Sequence, residues 1–179
     1  INGISYTTQA NLWYPQTRID YIRNVGMDLP GYDQNKFALD EVGEIFFLDV
    51  DVTIDWIDEL LHKFKEGDPD GNGIMGDVVP LGATSDPNRS MQPLMGAYGV
   101  RYRHNRYVNG EFLTYHVDPG MKDFLIQMAA WYADDLIDKE FPTHRHQKHW
   151  AKIETGQQAM ACEILTYAGQ PYAANRPPN

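Results

Sequence analysis

Residues 68–77 read Asp-Pro-Asp-Gly-Asn-Gly-Ile-Met-Gly-Asp, with oxygen-bearing side chains alternating with glycines. Counted from Asp68, side-chain oxygens fall at positions 1, 3 and 5 (Asp68, Asp70, Asn72), a glycine at 6 (Gly73) and a main-chain carbonyl at 7 (Ile74). This is the front half of an EF-hand-type loop: alternate side chains converge on one point, and the glycine permits the sharp turn that brings the carbonyl in. Calcium takes about 6–8 oxygens, and a bidentate glutamate at position 12 usually completes the set. Position 12 here is Val79, and the later carboxylate near the loop is Asp77, at position 10. A cage built on these residues must therefore close early. The competing reading is an acidic turn without an ion. Asp77 and the helix that runs into the loop favour calcium as a structural cofactor, held by Asp68, Asp70, Asn72, Ile74 and Asp77.

Other constellations are weaker. His144, His146 and His149 cluster in "THRHQKHW", and His146 and His149 share a helical face. A zinc site would need a converging fourth ligand, and none is evident, so a solvated helix start is expected. No Ser-His-Asp order, G-x-S-x-G elbow or glycine-rich phosphate loop occurs. Acid pairs abound, but nothing marks two of them as a general acid and base, and no enzymatic activity is expected. Cys162 lies in the apolar run "QAMACEIL", where a lone thiol reads as a small buried hydrophobe.

The elements that must hold the acidic loop are legible. "VTIDWIDELLHKFKEG" predicts a helix capped by Thr53, with an apolar stripe of Ile54, Ile57, Leu61 and Phe64, stopped at Gly67. "QTRIDYIRNVG" predicts a shorter helix with Ile19, Ile22 and Val25 on one face and Gly26 as its terminator. Asn109-Gly110 between two arms rich in valine and tyrosine signals a hairpin. A long helix over 120–136 is expected to turn Phe124, Leu125, Met128 and Leu136 inward and Lys122 and Asp135 outward. A third helix, capped by Thr143, should end at Gly156, before a buried strand in "QAMACEIL". "INGISYTT" alternates as a short strand, much of 27–51 reads as irregular connection, and the tail "AANRPPN" as a frayed end or a cut. Trp56 and Trp131 sit in or beside apolar stripes and are expected in the core.

Composition limits the rest. A chain of 179 residues with 42% hydrophobic and 12% aromatic content can build one ordinary core. A formal charge of −10 disfavours nucleic acid as a partner. No stretch approaches the roughly 18 apolar residues of a membrane span. The chain opens at Ile1, not at methionine, so a processed or excised piece is expected and a missing export signal carries no weight.

The surroundings of the loop carry a resemblance. The helix running into "FKEGDPDGNGIMGDVVPL" resembles a recurring segment of the extracellular solute-binding proteins of carbohydrate ABC importers, family 1 type, which reads "DPDGNG-x-x-D-E-I-P-L". "INGISYTT", "LWYPQTRIDYIRNVGM", "MGAYGV" with "YVNGEFLTY", "MKDFLIQMAAWYADDLIDKEFPT" and "ETGQQAMAC" are similar to further blocks of that family, in the same order. The resemblance spans nearly all of this chain but well under half of a family member. It implies an α/β lobe of a type II periplasmic-binding-like, two-lobed receptor, with hinge-strand segments near 1–9 and 156–166. It also implies a protein exported to the extracellular face of the membrane or the periplasm, with a lipid anchor outside this chain. The implied function is capture of a carbohydrate, an oligosaccharide for preference, and its delivery to permease subunits. Oligosaccharide-binding relatives hold calcium in this loop, which supports the ligand set above, although the family's "DE" is Gly76-Asp77 here. The family's basic-acidic pair is shifted here to Arg18 and Asp20 in "QTRID". For the sugar, the candidates are Trp13, Tyr14, Tyr98 and Tyr102, whose rings can stack on C–H faces, with Arg18 and Gln92 as planar polar partners. The alternative class is a calcium-stabilised carbohydrate-binding or adhesion module attached to a carbohydrate-active enzyme.

Overall fold

The computed structural model describes residues 13–30, 52–86 and 90–164, the side chains of 13, 14, 163 and 164 excepted. The strand expected at "INGISYTT", most of the connection 27–51 and the tail lie outside the described residues. Within them the order is β1 (Trp13–Thr17), α1 (Ile19–Asn24), α2 (Ile54–Glu66), β2 (Val79–Gly82), α3 (Gln92–Gly96), β3 (Arg106–Val108), β4 (Glu111–Leu113), α4 (Pro119–Ala133), α5 (His146–Glu154) and β5 (Gln158–Ile164). Single 3₁₀ turns precede α4 and α5, at Tyr115–Val117 and Phe141–Thr143. The chain is α/β, as expected.

The described sheet has the order β1-β5-β2, with β5 antiparallel to β1 and parallel to β2. β5 is thus a central strand, and a central strand must be apolar on both faces. Its Ala159, Met160, Ala161 and Cys162 are all buried, which places the lone thiol where the sequence put it. The segment just after α4 extends this sheet. Ile137 bridges Leu81, the Leu81 N–H donates to Leu136 (2.9 Å), and the Asp138 N–H donates to the Leu81 carbonyl (3.0 Å).

α2 forms for the anticipated reasons. The Thr53 hydroxyl accepts the Trp56 N–H (3.1 Å), and Ile57, Leu60, Leu61 and Phe64 form the buried stripe. Ile54 and Trp56 are only half-buried at its margin, so Trp56 packs against the core without entering it. α1 ends in a Schellman arrangement. The Met27 N–H reaches the Ile22 carbonyl (3.0 Å) and the Gly26 N–H reaches Arg23 (2.9 Å), with Gly26 at φ +73°. The hairpin turns on Asn109 (φ 52°) and Gly110 (φ 84°), both left-handed as a type I′ turn requires.

Three expectations are corrected. Leu125 is 54% exposed, together with Ile126, because the stripe of α4 runs through Met121, Phe124, Met128 and Trp131 and leaves Leu125 off its edge. Leu136 is buried, but beyond the helix, which ends at Ala133. Thr143 does not cap α5: it lies in the 3₁₀ turn, its hydroxyl donates to the Glu140 carbonyl (2.9 Å), and the N-cap residue is Arg145. Lys122 and Asp135 face outward and Phe124 inward, as read.

Candidate functional site

The acidic loop begins at the end of α2 and runs into β2. Gly67 closes α2 by donating to the Lys63 carbonyl (2.9 Å), and its own carbonyl accepts the Gly76 N–H (2.9 Å), which pinches the base of the loop. Gly76 sits at φ +71°, and a side chain there would press on the Lys65 carbonyl at 3.1 Å. Asn24, the last residue of α1, reaches across to donate to the Pro69 carbonyl (2.9 Å). The loop is therefore held by both α1 and α2.

Inside it, the side chains chosen from the sequence converge. Asp68 accepts the N–H groups of Asn72 (3.0 Å) and Gly73 (2.8 Å) on its two oxygens. The Asn72 amide nitrogen donates to Asp70 (2.9 Å) and to Asp77 (2.9 Å), and its oxygen accepts the Ile74 N–H (2.7 Å). Gly73 adopts φ +87°, open only to glycine at little cost, and this lets its N–H face Asp68. Asp70 and Asp77, seven residues apart, thus face one donor. Burial pushes the Asp68 carboxyl up, but the Gly73 N–H, a hydrogen bond with Asp70 and the Asn72 N–H outweigh it and hold the group below the usual range. Asp70 moves the other way: burial raises it, and the nearby Asp68 and Asp77 charges add to that against the Asn72 N–H. Three carboxylates gather around Asn72, two at its side-chain nitrogen and one at its main-chain N–H, and with the amide turned over the set would offer a hard cation oxygen donors. The Ile74 N–H is taken up by Asn72, and its side chain is 58% exposed.

The ligand candidates are placed elsewhere. Trp13 and Tyr14 lie in β1, opposite Ile164 and Glu163 of β5. Arg18 follows β1, donates from Nε to Asp20 (2.9 Å) and lies over the Tyr21 ring at 4.7 Å. Its engagement with Asp20 is local. Gln92 opens α3 and is half-buried. Tyr98 packs edge-on against Phe124 (6.0 Å) and Tyr102 against Tyr115 (5.5 Å), so both rings are partly committed to the core.

The histidine reading is corrected. His144 and His149 are fully buried, because the 3₁₀ turn and α5 fold back over β5 and the segment after α4. There they join a charged cluster that sequence reasoning missed. Lys152 donates to Asp138 (2.7 Å) and Glu140 (3.1 Å), Lys148 reaches Glu140 (3.3 Å), and His144 lies 3.4 Å from both acids, one ring nitrogen toward each. The hydrogen bonds from Lys152, then Lys148 and His144, lower the Glu140 carboxyl to about 2. Burial works against the Lys152 ammonium, yet its bonds to Asp138 and Glu140 raise it above the lysine range. His149 is lowered to about 4, by burial first and then by the neighbouring His144 and His146, with Asp138 opposing. The available signal was the i, i+4 spacing of Glu140 and His144. Nothing local shows that Lys152, a helix away, would meet them.

No protein-family model matches the chain. It is 29% identical over 163 residues to the lipoprotein LipO of Bacillus subtilis (strain 168), an alignment covering 86% of this chain and 27% of LipO. Among solved structures it is similar to the S. pneumoniae ABC-transporter substrate-binding protein FusA in complex with kestose, with a TM-score of 0.67 and 18% identity. That match covers 93% of this chain and 30% of FusA, and another structure of FusA is an EF-hand mutant with fructo-nystose. An extracellular solute-binding protein from Bifidobacterium longum subsp. infantis superposes with a TM-score of 0.62 at 14% identity, covering 90% of this chain and 32% of that one. The chain thus spans about a third of the length of the solved relatives it matches, and over that span it has the fold of ABC-transporter solute-binding proteins.

Proposed function

We propose that the protein to which this chain belongs is the extracellular substrate-binding component of an ABC importer, capturing an oligosaccharide and passing it to permease subunits. The observation that carries this reading is the coincidence, in one chain, of the solute-binding fold with an acidic loop whose candidate ligands converge between α2 and β2. FusA, which shares that fold, binds kestose and has an EF-hand. The reaction is capture between two lobes with hinge closure, and no bond is made or broken. β5 falls within the expected hinge segment 156–166, and its partner segment 1–9 lies outside the described residues. Calcium is the ion for the loop, held by the carboxylates of Asp68, Asp70 and Asp77, the side-chain oxygen of Asn72 and the main-chain carbonyl of Ile74. It staples α2 to β2 and does not touch the sugar. Trp13, Tyr14, Arg18, Gln92, Tyr98 and Tyr102 are the proposed sugar contacts. Export and a lipid anchor fit the similarity to a lipoprotein.

The test is calorimetry on a polypeptide extended to the length of its relatives, titrated with kestose, fructo-nystose and unrelated oligosaccharides. One of these should bind, and the 179-residue chain alone should bind far more weakly, because a cleft needs two walls. A folded full-length protein that binds no carbohydrate would remove the reading.

A further inference from the structure

The buried cluster beside β2 offers a second, chemically different cation site. Asp138, Glu140 and His144 each present one ligand atom, and the three atoms lie within 4.8 Å of one another. The first and last are fixed by the fold. Asp138 is 4% exposed, and its N–H is held by Leu81 of β2 (3.0 Å), while one carboxylate oxygen accepts the Glu140 N–H (3.0 Å). His144 is 0% exposed, and its carbonyl accepts the Ser85 N–H (2.8 Å) just beyond β2. Its Nδ1 is buried and makes no hydrogen bond, facing Asp138 at 3.4 Å. Rigid backbone at both ends of a short turn is the support a metal site needs.

We propose that Asp138, Glu140 and His144 bind one borderline divalent cation of the Zn²⁺ or Co²⁺ type, which displaces the Lys152 ammonium. Lys152 now neutralises the two acids, donating 2.7 Å to Asp138 and 3.1 Å to Glu140 from the last turn of α5. It is a tethered cation on a flexible four-carbon stem, and Glu140, at 60% side-chain exposure, leaves a path to solvent. A divalent ion brings twice the charge to the same two oxygens and adds a coordinate bond to an imidazole nitrogen. The nitrogen decides the class: calcium and magnesium prefer all-oxygen sets, whereas zinc and cobalt accept one histidine with carboxylates. This chemistry is distinct from that of the Asp68–Asp77 loop, and the inference does not depend on the sugar reading.

The test uses the 179-residue protein in saturating Ca²⁺, so that hard-oxygen sites are occupied. Zn²⁺ is titrated by calorimetry, and Co²⁺ by its visible d–d absorption, whose intensity reports the coordination geometry. The expected result is one ion per chain. Glu140→Gln, at a side chain 60% exposed, should weaken binding at least tenfold. Lys152→Gln removes the competitor and should tighten it about tenfold. Absence of binding at millimolar Zn²⁺, or binding that neither substitution changes, would overturn the proposal and leave the cluster as an ion-pair network closed by Lys152.

Discussion

Between pH 7 and pH 5 this protein should lose stability, and His149 should account for a measurable part of the loss. In the folded chain its imidazole is lowered to about 4, by burial first and then by His144 and His146. In the unfolded chain it titrates near 6.5. The folded state therefore favours the neutral ring. Its contribution is complete above pH 6.5, declines as the pH falls, and is exhausted below about 4. Inside that window each pH unit costs about 1.4 kcal/mol, so the step from pH 7 to pH 5 amounts to about 2 kcal/mol. For a chain of this size that corresponds to about 4–8 °C in Tm. The carboxyl of Glu140, lowered to about 2, loses its own contribution only below the normal carboxylate range, so it does not confound this interval. The assay is urea unfolding of the wild type and of His149→Gln at both pH values. The substitution lowers stability at pH 7 by removing a buried, packed ring, but the informative quantity is the difference between the two pH slopes. The wild type should lose about 2 kcal/mol more than the variant. Parallel slopes would mean that the buried ring takes up its proton without penalty, and the argument from burial would fail.

Two further outcomes follow from the loop and from the packing of α4. Asp70→Ala should lower Tm in calcium and abolish the difference between calcium and chelator, a difference of about 2.7 kcal/mol when free calcium is a hundredfold above Kd; sugar affinity of the full-length protein should hardly change, and a large loss at unchanged stability would put the ion in the cleft instead. Gly120→Ala should destabilise by about 1–3 kcal/mol in thermal unfolding, because a Cβ there would lie 2.1 Å from the Tyr98 carbonyl, where main chain must move; a neutral substitution would mean that the first turn of α4 shifts freely.

What the sequence determined by itself was local. Thr53 capping α2, Gly26 ending α1 and Asn109-Gly110 turning the hairpin are each decided by the conformational preference of one or two residues, and each was legible. The acidic loop was legible for the same reason: its candidate side chains lie within ten residues, so their convergence depends on glycines in the loop itself. The stripe of α4 was half-legible. Periodicity identified Phe124 and Met128 but took Leu125 for the buried face and left out Met121, because the orientation of a helix with apolar residues around much of its surface is set by its neighbours. The histidines were misread because burial is a long-range property. His144 and His149 have polar sequence neighbours, and only the return of α5 over β5 and the segment after α4 removes them from water and brings Lys152 to Asp138 and Glu140. Desolvation, which lowers His149 and makes the cluster a candidate for a second cation, exists only in the folded chain.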